Sequence, residues 1–330
     1  MTAAPATLVV GRHEISDLMA PGDWLGAVEA GFRAAAEGRA AAPPPMHIHG
    51  EGGAFHAKGA SLRLDRYWAA LKLNGNFPAN PELRGLPTIQ GALLLCDGET
   101  GSLLAVMDSI EITLRRTAAA TALAARFLAR PESSTLLVCG CGEQGAAQLA
   151  PLRAVLPLQR LLAWDKDQAR ARAFADAVAD LETGVADDLA AAARQSDVIV
   201  TCTTARSPFL ELDMVAAGTF VAAVGADSPD KNEIAPALMV RARIFADVLD
   251  QCAVMGDLHH ALAAGGVTRG DVQAELADLV VGARPGRVSE AEITLFDSTG
   301  TALQDVAAAV RIYERAIAAG DGSTVELGRR

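Results

Sequence analysis

The chain has 330 residues, of which 51% are apolar and 21% charged, and its formal net charge is −11. That length is enough for two domains with a large core. The acidic balance and the lack of a lysine- and arginine-rich cluster argue against a nucleic-acid partner. No apolar run reaches the ~18 residues that cross a bilayer, and no basic segment followed by an apolar core marks a secretory signal. We therefore expect a cytoplasmic protein without a membrane partner.

The cysteines also indicate a reducing compartment. Their number is odd, and four of the five lie in apolar, strand-like stretches, which is typical of small buried thiols rather than of a disulfide framework. They are Cys96, Cys139, Cys141, Cys202 and Cys252.

The first 130 residues predict a mostly antiparallel sheet that follows one helix and precedes another. Residues 14–38 are predicted to be helical, and three consecutive prolines in "AAPPPMHIHG" (41–50) exclude helix after them. Short β-type runs separated by turn residues come next, at 54–62, 67–75 and 89–97. An alanine- and leucine-rich helix is predicted over 110–129.

The pattern changes after Pro131, where strands and helices begin to alternate at regular spacing. Such alternation predicts a doubly wound parallel sheet, whose strands are apolar because both faces are buried. The predicted strands are 135–139, 160–165, 196–203, 219–227 and 243–248, and the predicted helices are 143–156, 168–180 and, at the end, 303–319.

The stretch "TLLVCGCGEQGA" (135–146) carries the glycine spacing of a dinucleotide-binding turn, with Gly140, Gly142 and Gly145 between a strand and a helix. The three glycines allow the tight turn, the approach of the pyrophosphate and close helix–strand packing. Asp165 ends the next strand, 20 residues after Gly145. Its carboxylate can accept hydrogen bonds from the adenosine ribose and would repel a 2′-phosphate, which favours NAD(H) over NADP(H). A glycine-rich turn without a ligand is the alternative.

Four separated segments resemble the ornithine cyclodeaminase/mu-crystallin family, which includes archaeal-type alanine dehydrogenases and ketimine reductases. The segments are "LKLNGNFPANP" (71–81), "GSLLAVMDSIEITLRRTAAATALAARFLAR" (101–130), "VGADSPDKNEI" (224–234) and "TLFDSTGTALQDVAAA" (294–309). The resemblance implies an α/β fold in which a Rossmann-type parallel sheet is inserted in a smaller α+β domain. It implies an NAD-binding domain over 119–303, a substrate-binding and dimerisation domain over 1–118 plus 304–330, and a homodimer.

The resemblance also assigns the candidate catalytic and substrate-binding residues. Lys72 and Asp227 match the family's active-site lysine and aspartate, and Arg116 matches its carboxylate-binding arginine. From the residues alone, a solvated lysine, a surface arginine and a helix-capping aspartate remain the alternatives. Met46 stands where the family usually has a second arginine, and Lys58 is a candidate replacement for that charge.

Further residues are expected to contact the cofactor. Beyond the three glycines and Asp165, the cofactor-binding candidates are Thr117, Glu143, Gln144, Thr203, Val224, Ser298, Thr299 and Gly300.

The histidines are not expected to bind a metal. His47, His49 and His56 lack an accompanying carboxylate or cysteine set, and the adjacent His259 and His260 cannot face one way on a helix. We predict no metal cofactor.

These features predict an NAD(H)-dependent oxidoreductase that acts on the C–N bond of a small amino or imino acid. The alternative is a cyclodeaminase, which uses bound NAD catalytically without net redox change. The missing arginine at Met46 disfavours the cyclodeaminase, because that reaction needs a tightly oriented diamino acid. A non-catalytic binding protein is a third possibility, ranked last because Lys72, Arg116 and Asp227 are all present.

Overall fold

The computed structural model describes residues 6–327; the ends of the predicted substrate domain, 1–5 and 328–330, lie outside the described residues. Its strands are β1 (Thr7–Val10), β2 (Ala40–Ala41), β3 (Met46–Gly50), β4 (Gly53–Arg63), β5 (Tyr67–Asn76), β6 (Ile89–Asp97), β7 (Leu103–Asp108), β8 (Thr135–Cys139), β9 (Arg160–Trp164), β10 (Glu182–Val185), β11 (Val198–Thr201), β12 (Arg206–Leu210), β13 (Phe220–Ala223), β14 (Asn232–Ile234), β15 (Arg243–Ala246), β16 (Val272–Glu275), β17 (Thr294–Asp297) and β18 (Ser323–Val325). Its α-helices are α1 (Arg12–Leu18), α2 (Pro21–Ala36), α3 (Asn80–Arg84), α4 (Ser109–Leu128), α5 (Glu143–Arg153), α6 (Gln168–Asp176), α7 (Leu189–Arg194), α8 (Pro236–Arg241), α9 (Leu249–Met255), α10 (Asp257–Ala263), α11 (Leu276–Val280) and α12 (Ala302–Ala319).

The described residues form two compact units. One contains those up to Arg116 together with those from Thr301 onward, and the other is Thr117–Gly300. Within residues 6–327, no helix combines the length and the apolar character needed to cross a membrane.

The first unit is built on an eight-stranded sheet with the order β18-β1-β7-β6-β5-β4-β2, in which β3 also pairs with β4. All of its pairs are antiparallel except β1 with β7. Because side chains alternate along a strand, the two faces differ in composition. One face buries residues such as Trp68, Leu93 and Leu95, and α12 packs against β4 and β5 of this sheet.

The second unit is built on eight parallel strands in the order β10-β9-β8-β11-β13-β17-β15-β16. Its strands are buried on both faces, as the continuous apolar runs predicted. The strand order reverses between β8 and β11, so the loops after these two strands leave the sheet at its topological switch point. The predicted α/β class with a Rossmann-type sheet and an antiparallel sheet is confirmed.

The single helix predicted over 14–38 is wrong, because the chain forms two helices, α1 and α2, in that region. Pro21 is the first residue of α2, and Ala20 before it is extended, with φ −75° and ψ 160°. The proline ring disfavours helical geometry in the preceding residue, which ends α1 at Leu18.

The strands expected from the sequence do not include β17, which lies between β13 and β15 in the middle of the parallel sheet. Four residues are too few to show a periodicity that separates a buried strand from a short apolar turn of helix. Phe296 on this strand is fully buried.

We expect Phe296→Ala to destabilise the parallel-sheet unit by about 3–5 kcal/mol, since the truncation leaves a cavity among side chains that cannot fully collapse. Urea denaturation followed by circular dichroism measures this change. The control Val240→Ala removes an exposed side chain of the same unit, and we expect it to change the free energy of unfolding by at most about 0.5 kcal/mol. Equal effects of the two substitutions would contradict the central position of β17.

Candidate functional site

The turn between β8 and α5 has the geometry that a dinucleotide phosphate requires. Gly140 has φ +100°, and a Cβ there would stand 2.8 Å from the carbonyl oxygen of Cys202. A Cβ on Gly145 would stand 2.1 Å from the carbonyl oxygen of Gly140, so helix and strand approach closely. Gly142 caps α5 and faces open space. Such a cradle at a helix N-terminus fits a pyrophosphate.

Asp165 follows β9 and is buried against the same turn. Its Oδ2 accepts a hydrogen bond from the backbone N–H of Cys141 at 2.9 Å, and its Oδ1 accepts one from Asp167 at 2.9 Å. Each carboxylate oxygen has a further lone pair for a ribose hydroxyl. The carboxylate therefore fixes the glycine turn and stands where an adenosine ribose is expected.

The other cofactor-binding candidates of this unit fall into three groups. Glu143 and Gln144 begin α5. Thr203 follows β11, Val224 follows β13, and residues 298–300 follow β17. Because the strands are parallel, these three loops leave the sheet at its carboxyl edge, where ligands of open α/β sheets bind. Thr117, in α4, does not follow a strand of this sheet.

Glu233 is a functional candidate that the sequence analysis missed. It is fully buried, and its carboxylate accepts hydrogen bonds from the backbone N–H of Thr203 at 2.6 Å, from Gly225 at 2.9 Å and from the Thr201 hydroxyl at 2.7 Å. Burial raises the pKa of this carboxyl, while these hydrogen bonds lower it. Glu233 thereby joins the loops that follow β11 and β13.

Asp247, which directly follows β15, accepts hydrogen bonds from the loop after β17. It is a second functional candidate that was not expected from the sequence. Its Oδ2 accepts hydrogen bonds from the Gly300 backbone N–H at 2.7 Å and from the Ser298 hydroxyl at 3.2 Å, and its Oδ1 accepts one from the Thr299 hydroxyl. Gln251 donates to the Thr299 hydroxyl at 2.7 Å. An aspartate that directly follows an apolar strand was the available signal.

Lys72 and Arg116, both in the antiparallel-sheet unit, meet at one buried carboxylate, that of Asp305 on α12. Asp305 Oδ2 lies 2.8 Å from Lys72 Nζ, and Asp305 Oδ1 accepts a hydrogen bond from Arg116 Nε at 2.9 Å. Arg116 Nη1 also donates to Gln304 Oε1 at 2.7 Å, and Lys72 Nζ donates to Thr113 Oγ1 at 3.2 Å. All three charged side chains are at most 5% exposed. Lys72 is therefore not a solvated lysine, and Arg116 is not a surface arginine.

The surroundings of Lys72 bring the pKa of its ammonium group close to neutral pH. The pKa of Lys72 is lowered to about 7, mainly by burial; Asp305 acts to raise it, and the positive charges of Arg116 and Lys58 act in the same direction as burial. For Asp305, burial acts to raise the pKa, but the charges of Arg116 and Lys72 outweigh it and leave the pKa lowered. A lysine with such a pKa can both hold and release a proton near pH 7.

The sheet register separates Met46 from this cluster. Lys58 lies directly opposite Lys72 in the β4–β5 pair, so the two share a face of the sheet. Met46 pairs with Ala57, which pairs with Leu73, and these side chains point to the other face. The structure does not bring Met46 to Lys72. The residue in register with Lys58 is the preceding Pro45, one position before β3 begins.

Asp227 lies four residues beyond the end of β13 and forms an ion pair with Lys231 at 2.6 Å. Its side chain is 56% exposed. The strand predicted over 219–227 ends at Ala223, so Asp227 belongs to the loop at the carboxyl edge of the parallel sheet.

His47 pairs with His56 and His259 with His260, and the last two also contact backbone carbonyl groups. The rings of His47 and His56 are perpendicular, with centroids 4.6 Å apart, and those of His259 and His260 are 5.1 Å apart. Across residues 6–327, no three side chains of histidine, cysteine, aspartate or glutamate are grouped as metal ligands. That the protein needs no metal stays a prediction.

The chain is similar to solved and characterised proteins along almost its whole length. It is 36% identical over 323 residues to the alanine dehydrogenase of Archaeoglobus fulgidus, covering 98% of this chain and 99% of that one. An archaeal alanine dehydrogenase dimer with bound NAD has a TM-score of 0.93 at 36% identity, covering 98% and 99% of the two chains.

A second solved structure, Thermococcus litoralis Δ1-pyrroline-2-carboxylate reductase in complex with NADH and L-proline, has a TM-score of 0.93 at 29% identity, covering 97% of this chain and 100% of that one. Residues 6–320 also match the sequence model of the ornithine cyclodeaminase/mu-crystallin family. The predicted resemblance is thus confirmed, and the chain belongs to the ornithine cyclodeaminase/mu-crystallin family.

Proposed function

We propose that this protein is an NAD(H)-dependent oxidoreductase that acts on the C–N bond of a small amino or imino acid. Relatives along its whole length are an alanine dehydrogenase and a Δ1-pyrroline-2-carboxylate reductase, which share that chemistry. The glycine cradle and Asp165 fit a dinucleotide. When bound, the cofactor supplies or accepts a hydride.

The observation that carries the proposal is the charge of the buried cluster. When Lys72 is protonated, Lys72 and Arg116 are two cations, and Asp305 is the one carboxylate that both contact. An excess positive charge removed from water is costly unless an anion compensates it. The α-carboxylate of an amino or imino acid supplies that anion.

The contacts of Arg116 and Lys72 support their roles, and the family resemblance supports the role of Asp227. Arg116 binds the substrate carboxylate, since neither of its hydrogen bonds to Asp305 and Gln304 uses Nη2. Lys72 holds a proton that it can deliver or accept near pH 7. Asp227, in its exposed loop, accepts a proton from the substrate amine or from an attacking water or ammonia molecule. Catalysis then rests on orientation and charge.

Cyclodeamination of a diamino acid is the second candidate, because the family also carries that activity in its name. In that reaction the hydride returns to the product, so cofactor is not consumed. The absence of an arginine at both position 45 and position 46 disfavours it, since the substrate would have one fewer fixed charge to orient its carboxylate.

We further propose a homodimer formed through the exposed face of the antiparallel sheet. Met46, Ile48, Leu71 and Leu73 lie on this face and are 44–55% exposed. An apolar patch of this kind marks an interaction surface. The archaeal alanine dehydrogenase with the same fold is a dimer, so a second copy of this chain is the occupant we propose.

The cytoplasm is the compartment that the thiols support. All five cysteines are free, and burial raises the pKa of each, so that the thiols stay protonated and unreactive.

We expect purified protein to oxidise NADH in the presence of a 2-oxo acid with ammonium or methylamine, or of a cyclic imino acid. Absorbance at 340 nm measures this consumption. Lys72→Met should lower kcat by about 100-fold or more, the range that a general acid contributes, while NADH binding, measured by fluorescence titration, stays unchanged. The control Lys166→Met alters an exposed lysine of the parallel-sheet unit. Ammonia release from ornithine or lysine without NADH consumption would instead establish the cyclodeaminase.

We expect NADH to be preferred to NADPH by at least about tenfold in kcat/KM, because the Asp165 carboxylate repels a 2′-phosphate. Asp165→Asn keeps an oxygen that can accept from the Cys141 N–H but removes the charge, and it should reduce the preference about tenfold. Steady-state kinetics with both cofactors measures it. Equal use of the two cofactors by the unaltered protein would refute the role of Asp165.

We expect Leu73→Glu to convert the dimer to a monomer, because it places a charge in the apolar face where two copies meet. Sedimentation velocity or light scattering after gel filtration measures the mass. Ile317→Glu places the same charge on α12, where the side chain is also exposed, and should leave the dimer intact. A monomeric unaltered protein would rule out the interface.

A further inference from the structure

Asp305 has a special position in the antiparallel-sheet unit. It lies in the first turn of α12, is 2% exposed, and reaches residues that precede it by 189 and 233 positions in the chain. Its two oxygens serve different partners, since Oδ1 accepts from Arg116 Nε and Oδ2 pairs with Lys72 Nζ. One carboxylate thus contacts both the candidate catalytic lysine and the candidate substrate-binding arginine.

The contacts of Arg116 determine the direction of its guanidinium plane. Asp305 binds Nε and Gln304 Oε1 accepts from Nη1. Arginine is only a donor, so the Gln304 side chain must present its oxygen to Arg116. Two bonds to one planar group remove its rotational freedom and leave Nη2 directed elsewhere. Without Asp305, one of those two bonds is lost.

The charges that face Lys72 come from three elements. Arg116 of α4 and Lys58 of β4 are positive and disfavour the charged ammonium, as does burial. Asp305 of α12 is negative and favours it. From β6, the residue opposite Lys72 is the apolar Leu93. Among these groups, Asp305 is the one that opposes loss of the Lys72 proton.

We propose that Asp305 is a positioning residue that favours the charged ammonium of Lys72 and aims Arg116 at the substrate carboxylate. The inference rests on the proposed function for its catalytic consequence. Its effect on Lys72 is a property of the protein without substrate, so the two can fail separately.

The first test is a titration of Lys72 without any substrate. The chain has four lysines, at positions 58, 72, 166 and 231, so protein labelled with 13C at lysine Cε gives few resonances, and Lys72→Met assigns the one of interest. We expect its midpoint near pH 7 in the unaltered protein and about 1–3 pH units lower in Asp305→Asn, the range for removal of an opposite charge in contact. An unchanged midpoint overturns the proposal.

A matched control neutralises another buried carboxylate of the same unit. Glu111 on α4 is 4% exposed and pairs with Arg12 and Arg115, not with Lys72. Glu111→Gln should leave the midpoint of Lys72 unchanged. A shift equal to that of Asp305→Asn would show a general response of the unit, and it would also overturn the proposal.

The second test is the pH profile of imine reduction. If charged Lys72 is required, kcat/KM falls as the pH rises through the midpoint of Lys72, and in Asp305→Asn this fall moves to lower pH by the same 1–3 units. KM also rises, because a neutral amide oxygen holds the Arg116 guanidinium more weakly than the carboxylate does. If Asp305 had only a structural role, Asp305→Asn would lower kcat/KM equally at every pH. That result would contradict the proposal.

Asp305→Glu provides a variant that keeps the charge should Asp305→Asn not fold. We expect it to retain the Lys72 midpoint within about half a unit while raising KM, because the longer side chain displaces Arg116. An unchanged KM would contradict the role of Asp305 in orienting Arg116. A Lys72 midpoint that is not retained would contradict its role in favouring the charged lysine. If no substrate is turned over at all, the proposed function fails while the titration still decides the role of Asp305.

Discussion

The contact of one buried carboxylate with two buried cations is the interaction on which the antiparallel-sheet unit depends. Asp305, Lys72 and Arg116 come from α12, β5 and α4. Charges removed from water are tolerated only when they are paired and hydrogen-bonded, so these elements must meet although they lie far apart in sequence. The requirement explains why a unit built mainly from the first 116 residues takes its last long helix from the end of the chain.

The parallel-sheet unit satisfies a different constraint, which acts on the backbone. The turn after β8 must approach both β11 and α5, and a Cβ on Gly140 or Gly145 would collide with backbone atoms. The loops that follow β11, β13 and β17 lack regular structure, so buried carboxylates bind their N–H groups: Glu233 for the first two and Asp247 for the third. Buried backbone groups without such partners would destabilise the carboxyl edge of the sheet.

The sequence was informative wherever a residue is required by local geometry. Strand, glycine spacing, helix and Asp165 stand close together along the chain, so the strand–turn–helix geometry could be predicted from a single segment. The burial of Lys72 could not, because a lysine between two leucines on a strand fits a solvated face equally well until the partner is known. That partner, Asp305, is 233 positions away, and its only local signal is a charge within the apolar segment that precedes "VAAAV". The position of Met46 could not be predicted either. A one-residue difference in register moves a side chain to the opposite face of a sheet, and only the pairing of Met46 with Ala57 reveals which face Met46 occupies.

The two units therefore differ in what sequence change can alter. In the parallel-sheet unit, the candidate cofactor-binding features are backbone positions, glycines and buried acids, and we expect substitution at any of them to disturb the sheet edge itself. In the other unit, Lys72, Arg116 and Asp305 form a buried cluster of charges, whereas Lys58 and the start of β3 lie at its margin. A change there alters the charge and shape offered to a substrate without breaking a buried ion pair. In the sequence "PPM" at 44–46, Met46 stands where the family resemblance implies an arginine. This segment lies at that margin, so we expect the choice of substrate to depend on it.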